Sequence, residues 1–235
     1  MTGTAINVGT ILAGSFIGVS VGSKLPEKMR DTVLHGLGLL TMLVGFQMAI
    51  GTKNVLVVMG AMLLGGLSGE LLRISDGLDR LGAFLQSMMA GEQARTFGEG
   101  FITASLVFCV GPMAILGSMQ DGITGDYRLL VIKSTLDGFA AVAFAASLGW
   151  GVALSAATIL IYQGGITLFA NVLSDMLTDP MIAEMTATGG LIIVGIGIKL
   201  LNLREIRLAN FLPALAIAPL IVVLIPKIKA LLQML

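Results

Sequence analysis

Charge is almost absent from long stretches of this chain, and that constrains its fold more than any motif. Residues 4–23, 54–69, 100–120, 138–174 and 208–226 contain no Asp, Glu, Lys or Arg. A helix of about 20 apolar residues crosses ~30 Å of hydrocarbon. In lipid the backbone polar groups must be satisfied within the segment, and the runs lack the two-residue alternation of barrel strands. The expectation is an all-α, polytopic transmembrane helical bundle, with residues 1–235 as one transmembrane domain. Charged residues make up 12% of the 235, against about 25% in soluble domains.

Eight spans are expected, at about 4–23, 33–51, 55–72, 98–119, 129–148, 150–170, 186–203 and 209–226. Only Gly149 to Gly151, around Trp150, separates the fifth from the sixth; if those two fused, the count would be seven. Positive charge favours eight. The connections after spans 1, 3, 5 and 7 hold Lys24, Lys28, Arg30, Arg73, Arg80, Arg95, Lys199, Arg204 and Arg207, nine in all, against Lys53, Arg128, Lys227 and Lys229 on the other side. The richer side should be cytoplasmic, which puts both termini outside. The start lacks the basic leader of a secretory signal, so the first span is expected to stay in the bundle.

The one long connection, within 73–100, has Leu78, Leu81, Leu85, Met88 and Met89 at helical spacing, with Asp79, Arg80 and Gln86 between them. This predicts an amphipathic linker over 76–95, lying in the cytoplasmic interface. Spans 1–3 and 6–8 can be overlaid at an offset that pairs Gly14 with Gly164 and Gly45 with Gly195, suggesting an inverted repeat of the kind that builds many transporters. Gly14, Gly18 and Gly22 form a small-residue ridge on span 1, fit for helix packing within the chain or in a homodimer.

Zero formal net charge gives no case for nucleic acid. A single Cys and a single His exclude a disulfide, a thiol framework and His-based zinc or triad chemistry. No metal, cofactor or enzymatic activity is expected. The informative residues are polar ones inside spans, because each is costly there and turns toward the bundle interior or a water-filled cavity. Glu70, Glu99 and His35 sit near span ends, where a solvated position is cheap. Asp137, near the middle of span 5, is the strongest position. Lys133 is one turn earlier on the same face, with Ser134 beside it, and Asn7, Gln120, Asp121 and Gln163 complete the binding candidates.

In "GPMAILGSMQDGITGD", residues 111–126, Pro112 removes a backbone donor and clashes with the preceding turn, while Gly111 relaxes the chain. Span 4 should break there, leaving a half-helix that carries Gln120 and Asp121 to the outer mouth of a cavity. Gly164 and Gly165, beside Gln163, predict a second interruption in span 6.

Together with "GTAINVGTILAGSFIG" and "LLVIKSTLDGFAAVAFA", this stretch resembles the bacterial membrane-protein family typified by YqgA and YdfK, which is carried as a domain of unknown function. The likeness runs almost end to end. It implies a bacterial inner-membrane location and, as an expectation, a transport role, and it puts Gln120, Asp121, Gly122, Gly125, Asp126, Lys133, Ser134, Asp137 and Gly138 in the family-like block.

The leading expectation is a secondary transporter or channel-like carrier of a small solute or ion, proton- or cation-coupled, since no ATP-binding motif is present. Its partners would be membrane lipid, the solute or ion, and a second copy of the chain. The alternative is a non-transporting scaffold or assembly factor. A third reading, an intramembrane hydrolase pairing Asp121 or Asp126 with Asp137, ranks last.

Overall fold

The computed structural model describes residues 1–87 and 96–232. Among them are eleven α-helices and no strand: α1 (Thr2–Gly22), α2 (Glu27–Ile50), α3 (Val55–Leu71), α4 (Ile74–Ser87), α5 (Phe97–Cys109), α6 (Pro112–Thr124), α7 (Arg128–Leu148), α8 (Gly151–Leu168), α9 (Ala170–Met176), α10 (Asp179–Leu200) and α11 (Leu212–Leu232), the last preceded by a 3-10 turn, Leu208–Phe211. The chain is a helical membrane bundle. Six helices are long and apolar enough to cross a membrane, and α5 with α6, bent by 63° at their junction, would make a seventh. α3 is apolar but has 17 residues.

The helix ends follow local chemistry. Asn54 Oδ1 accepts from Leu56 N at 3.1 Å and starts α3. Pro112 opens α6, where a missing N–H costs nothing, and Gly125 closes it at φ 72°, the left-handed conformation glycine adopts freely. Asp126 then accepts from Arg128 N at 3.1 Å as α7 begins.

Small residues set which helices pair. α1 and α7 run parallel, with Gly3 against Leu130, Gly14 against Gly138 and Ala141, Gly18 against Val142 and Ala145, and Gly22 against Ala146. The expected ridge of Gly14, Gly18 and Gly22 is thus covered by α7 within the chain. α2 and α10 are antiparallel through Gly38, Gly45, Gly190 and Gly197, and α3 and α11 through Gly65 and Gly69 against Ala214 and Asn210. α8 crosses α1 near Gly164. α1, α2 and α3 therefore each lie against the helix that the proposed overlay assigns as its counterpart: α8, α10 and α11.

The main core joins Phe108 of α5, Phe144 of α7, Ile159 of α8 and Ile192 and Ile196 of α10. A smaller core of Val57, Ala61, Ala214 and Ala218 seals α3 to α11.

Span 4 is broken where expected: α5 ends at Cys109 and α6 starts at Pro112. The pair still traverses the bundle. Gly100 of α5 packs on Leu148, at the end of α7, whereas Asp121 of α6 bonds to Gly3, at the start of α1. Since α1 and α7 are parallel, the two ends of the broken segment lie on opposite faces, so it does not re-enter the face it came from.

Three expectations are corrected. α8 runs unbroken through Gly164 and Gly165; the helix tolerates the pair because Gly164 is the surface on which Met1 and Thr4 of α1 rest. The seventh segment begins at Asp179 rather than 186, started by Thr178 and a proline in the first turn. The amphipathic linker forms a helix earlier than expected, from Ile74; Met88, Met89 and Arg95 lie outside the described residues.

A side chain at Gly18 would meet the Val142 carbonyl, and one at Gly22 the Ala146 backbone, whereas nothing lies near Gly9. Gly18→Val should therefore lower the thermal midpoint of detergent-solubilised protein by the equivalent of about 1–3 kcal/mol, the usual scale of overpacking. Gly9→Ala should leave it unchanged.

Candidate functional site

α1, α7 and α8 bring four sequence-predicted residues into one buried cluster. The Lys133 ammonium pairs with Asp137 one turn later on α7. Asp137 Oδ2 also accepts from Asn7 Nδ2 of α1 at 3.0 Å. The same Asn7 nitrogen donates to Gln163 Oε1 of α8 at 3.0 Å. Asn7 and Gln163 are fully buried, and Lys133 and Asp137 are 6% and 9% exposed.

The cluster extends toward the Met1 face through residues that the sequence reading missed. Gln163 Nε2 donates to Thr4 Oγ1 at 3.3 Å, Thr4 and Thr167 hydroxyls lie 3.5 Å apart, and Thr167 Oγ1 donates to the Gln163 carbonyl at 2.9 Å. Thr4 and Thr167 gave no signal because threonine is common in apolar helices. Their three- and four-residue spacing from Asn7 and Gln163 was the available clue.

An ion pair in hydrocarbon persists only when its Coulomb attraction and hydrogen bonds offset the desolvation of both ions. Here Asp137 has a cation and an amide donor on one oxygen. Asn7 has used both amide hydrogens, and its Oδ1 is buried with no partner among the described residues. Such an acceptor typically costs about 1–3 kcal/mol.

The broken segment lies alongside. Cys109 is the last residue of α5, which packs against both α7 and α8. Proline at 112 offers no N–H to the last turn of α5, so carbonyls there lack helical donors. A cavity of about 270 Å³, mostly apolar, reaches Cys109, Val110 and Tyr162. A second, of about 480 Å³, is lined by Ser75, Thr103, Lys199 and Arg207. The two share Leu78, Ile102 and Leu106, so they adjoin and lead from the basic face toward the break.

Other candidates fall elsewhere. Asp121 is buried, but it accepts from Gly3 N at 3.1 Å and from the Met1 amine at 2.9 Å, stabilising the positive start of α1. Gln120 is exposed and is not part of the cluster, because it sits about 100° around α6 from Asp121. Ser134 is buried and donates to the Leu130 carbonyl at 2.6 Å within its own helix. Asp126, in the turn before α7, is held at about 2 by hydrogen bonds from the Arg128 side chain and backbone. Asp121 and Asp126 thus have partners other than Asp137. Glu70 and Glu99 pair with Arg207 and Lys199 at half-exposed positions, as their places near segment ends implied.

Glu184 precedes the expected seventh span at 186–203, yet it is buried, accepting from Thr52 Oγ1 at 2.6 Å, Lys53 N at 2.7 Å and Asn54 N at 2.9 Å, and so it anchors the start of α3. An early start of α10 brings it inside.

A sequence profile described as "Protein of unknown function (DUF554)" matches residues 2–223. The chain belongs to the DUF554 family. Two relatives bear on this. "Uncharacterized membrane protein YdfK" of Bacillus subtilis (strain 168) is 30% identical over 230 residues, covering 96% of this chain and 97% of that protein. "Uncharacterized protein YqgA" of Escherichia coli (strain K12) is 30% identical over 220 residues, covering 92% and 94%. No solved structure matches the chain. The expected resemblance is therefore correct, and this DUF554 protein shares its full length with both relatives.

Removing one member of the buried pair leaves an uncompensated charge, usually worth about 3–5 kcal/mol, whereas replacing both with apolar groups is often nearly neutral. Lys133→Met should therefore unfold at a clearly lower temperature than the Lys133→Met/Asp137→Leu double variant, measured by thermal unfolding in detergent. Equal midpoints for the single and double variants would mean that the two side chains are uncoupled.

Proposed function

We propose that this protein is a non-enzymatic secondary transporter or channel-like carrier of a small solute or ion, with its site where α7 meets α1, α8 and the α5–α6 break. The observation that carries the reading is a buried, complementary Lys–Asp pair, linked by amides to two further helices and placed beside a broken helix. Ionisable groups inside membrane bundles are costly and commonly mark ion and solute pathways. Broken helices beside such groups are how many secondary transporters expose backbone to a bound solute.

The contacts support eight crossings, with α5 and α6 as one. They alternate between two faces, and α3 spans at the short end of the usual range. Lys24, Lys28, Arg30, Arg73, Lys199, Arg204 and Arg207 cluster on the face opposite Met1, which by the positive-inside rule supports a cytoplasmic reading of that face with the termini outside. On this reading the two adjoining cavities open inward, toward the cytoplasm of a bacterial inner membrane. The antiparallel packing of α1 on α8, α2 on α10 and α3 on α11 supports an inverted repeat.

The scaffold reading also has an observation in its favour, because every charge in the cluster is already paired within the chain. The two readings separate in liposomes on a solid-supported membrane, challenged with pH, Na⁺, K⁺ and small organic-ion jumps. Transport predicts currents for the wild type that vanish in folded Asp137→Asn. Silence of the wild type across the panel, or currents unchanged in Asp137→Asn, would overturn the transport site.

A further inference from the structure

Three features of the cluster are unexplained by a simple structural ion pair. The first is the orphaned oxygen of Asn7. Both hydrogens of its amide nitrogen are engaged, by Asp137 Oδ2 and Gln163 Oε1. Turning the amide over would press its oxygen against an ionised carboxylate, so the orientation is fixed and Oδ1 stands as a buried, unoccupied acceptor. The second is Asp137 itself: both of its hydrogen bonds fall on Oδ2, and the described residues supply no donor to Oδ1. The third is the identity of the ion already present, a primary ammonium on a flexible four-carbon stem.

Oxygen acceptors around a single carboxylate suit a hard cation. The charge is one: Asp137 is balanced by Lys133 alone, and no group of three or more His, Cys, Asp or Glu capable of holding a metal occurs among the described residues. A divalent ion would leave an uncompensated positive charge on Asp137, whereas a monovalent one balances the carboxylate provided that the displaced Lys133 releases its proton or carries its ammonium out to water. Lys133 lies one turn nearer than Asp137 to the start of α7 and the Met1 face, the direction in which a long, flexible stem would carry its ammonium to water.

We propose that the Lys133 ammonium, paired with Asp137, is a tethered stand-in for a free monovalent cation, which replaces it at the carboxylate and takes Asn7 Oδ1, unpartnered while Lys133 is bound, as a further ligand. The inference rests on the transporter reading for its setting and names its substrate class, a small monovalent cation exchanging with Lys133. Gln163 is a positioning residue: it holds the Asn7 amide in the orientation that presents Oδ1.

The test is thermal unfolding of the purified full-length protein at fixed pH and ionic strength, with Na⁺, K⁺, Li⁺, ammonium or methylammonium replacing choline. Lys133→Met vacates the site. Its midpoint should rise in a saturable way with at least one of these cations, at a concentration about tenfold or more below that needed by the wild type, in which Lys133 competes. The rise should be absent in Lys133→Met/Asp137→Asn and weakened in Lys133→Met/Asn7→Leu. Lys133→Gln provides the same vacancy where the methionine variant does not fold.

A folded Lys133 variant that responds to none of the cations would overturn the proposal. So would a response that survives in Lys133→Met/Asp137→Asn, since that would be a general salt effect. Wild-type currents with a flat Lys133→Met titration would reject this site and leave transport standing. Saturable binding without any wild-type current would support the site while rejecting transport.

Discussion

An ionised carboxylate between apolar helices must be compensated where it stands, and the arrangement of α1, α7 and α8 follows from how Asp137 is compensated. Lys133 supplies the charge from the same helix. Asn7 supplies a hydrogen bond from α1 and is itself held by Gln163 from α8. None of these groups could be buried alone at tolerable free energy. Their mutual satisfaction specifies one register for three helices. The glycines serve the same end: Gly14 and Gly18 bring α1 onto the α7 backbone, which is the approach that lets the short Asn7 side chain reach Asp137.

The broken segment adds what a structural pair would not need. An unbroken fourth span would satisfy its own backbone and seal the bundle. The break at 110–111 instead leaves the end of α5, a helix that packs on α7 and α8, at the head of cavities that lead to the basic face. Packing and charge therefore converge on one region of the fold, whereas α3 and α11 meet over a small, wholly apolar core.

Much of this was legible in the sequence because hydrocarbon is an unforgiving solvent. Helical class, the apolar character of the segments and the break at Pro112 all follow from backbone satisfaction, and the Lys133–Asp137 pair from spacing of four on one helix. What stayed hidden depends on rotation and contact. Gln120 and Asp121 are neighbours in sequence, yet α6 turns only Asp121 inward. Gly164 and Gly165 look like a breaker, but α1 lies on Gly164 and the helix continues. The role of Glu184 is not legible in the sequence because its partners, Thr52, Lys53 and Asn54, come from a distant turn. Full-length kinship with the DUF554 relatives fixes the family and leaves the chemistry to be read from the residues.

The central claim is that the buried pair is a working site rather than a packing device. The most direct measurement is charge movement by the charge-free Lys133→Met/Asp137→Leu variant, beside the wild type in the same liposomes, with folding verified by matching circular dichroism and thermal midpoints. The account predicts a well-folded protein that carries no current under ion jumps to which the wild type responds. A folded double variant with wild-type currents would contradict it and assign the pair to structure alone.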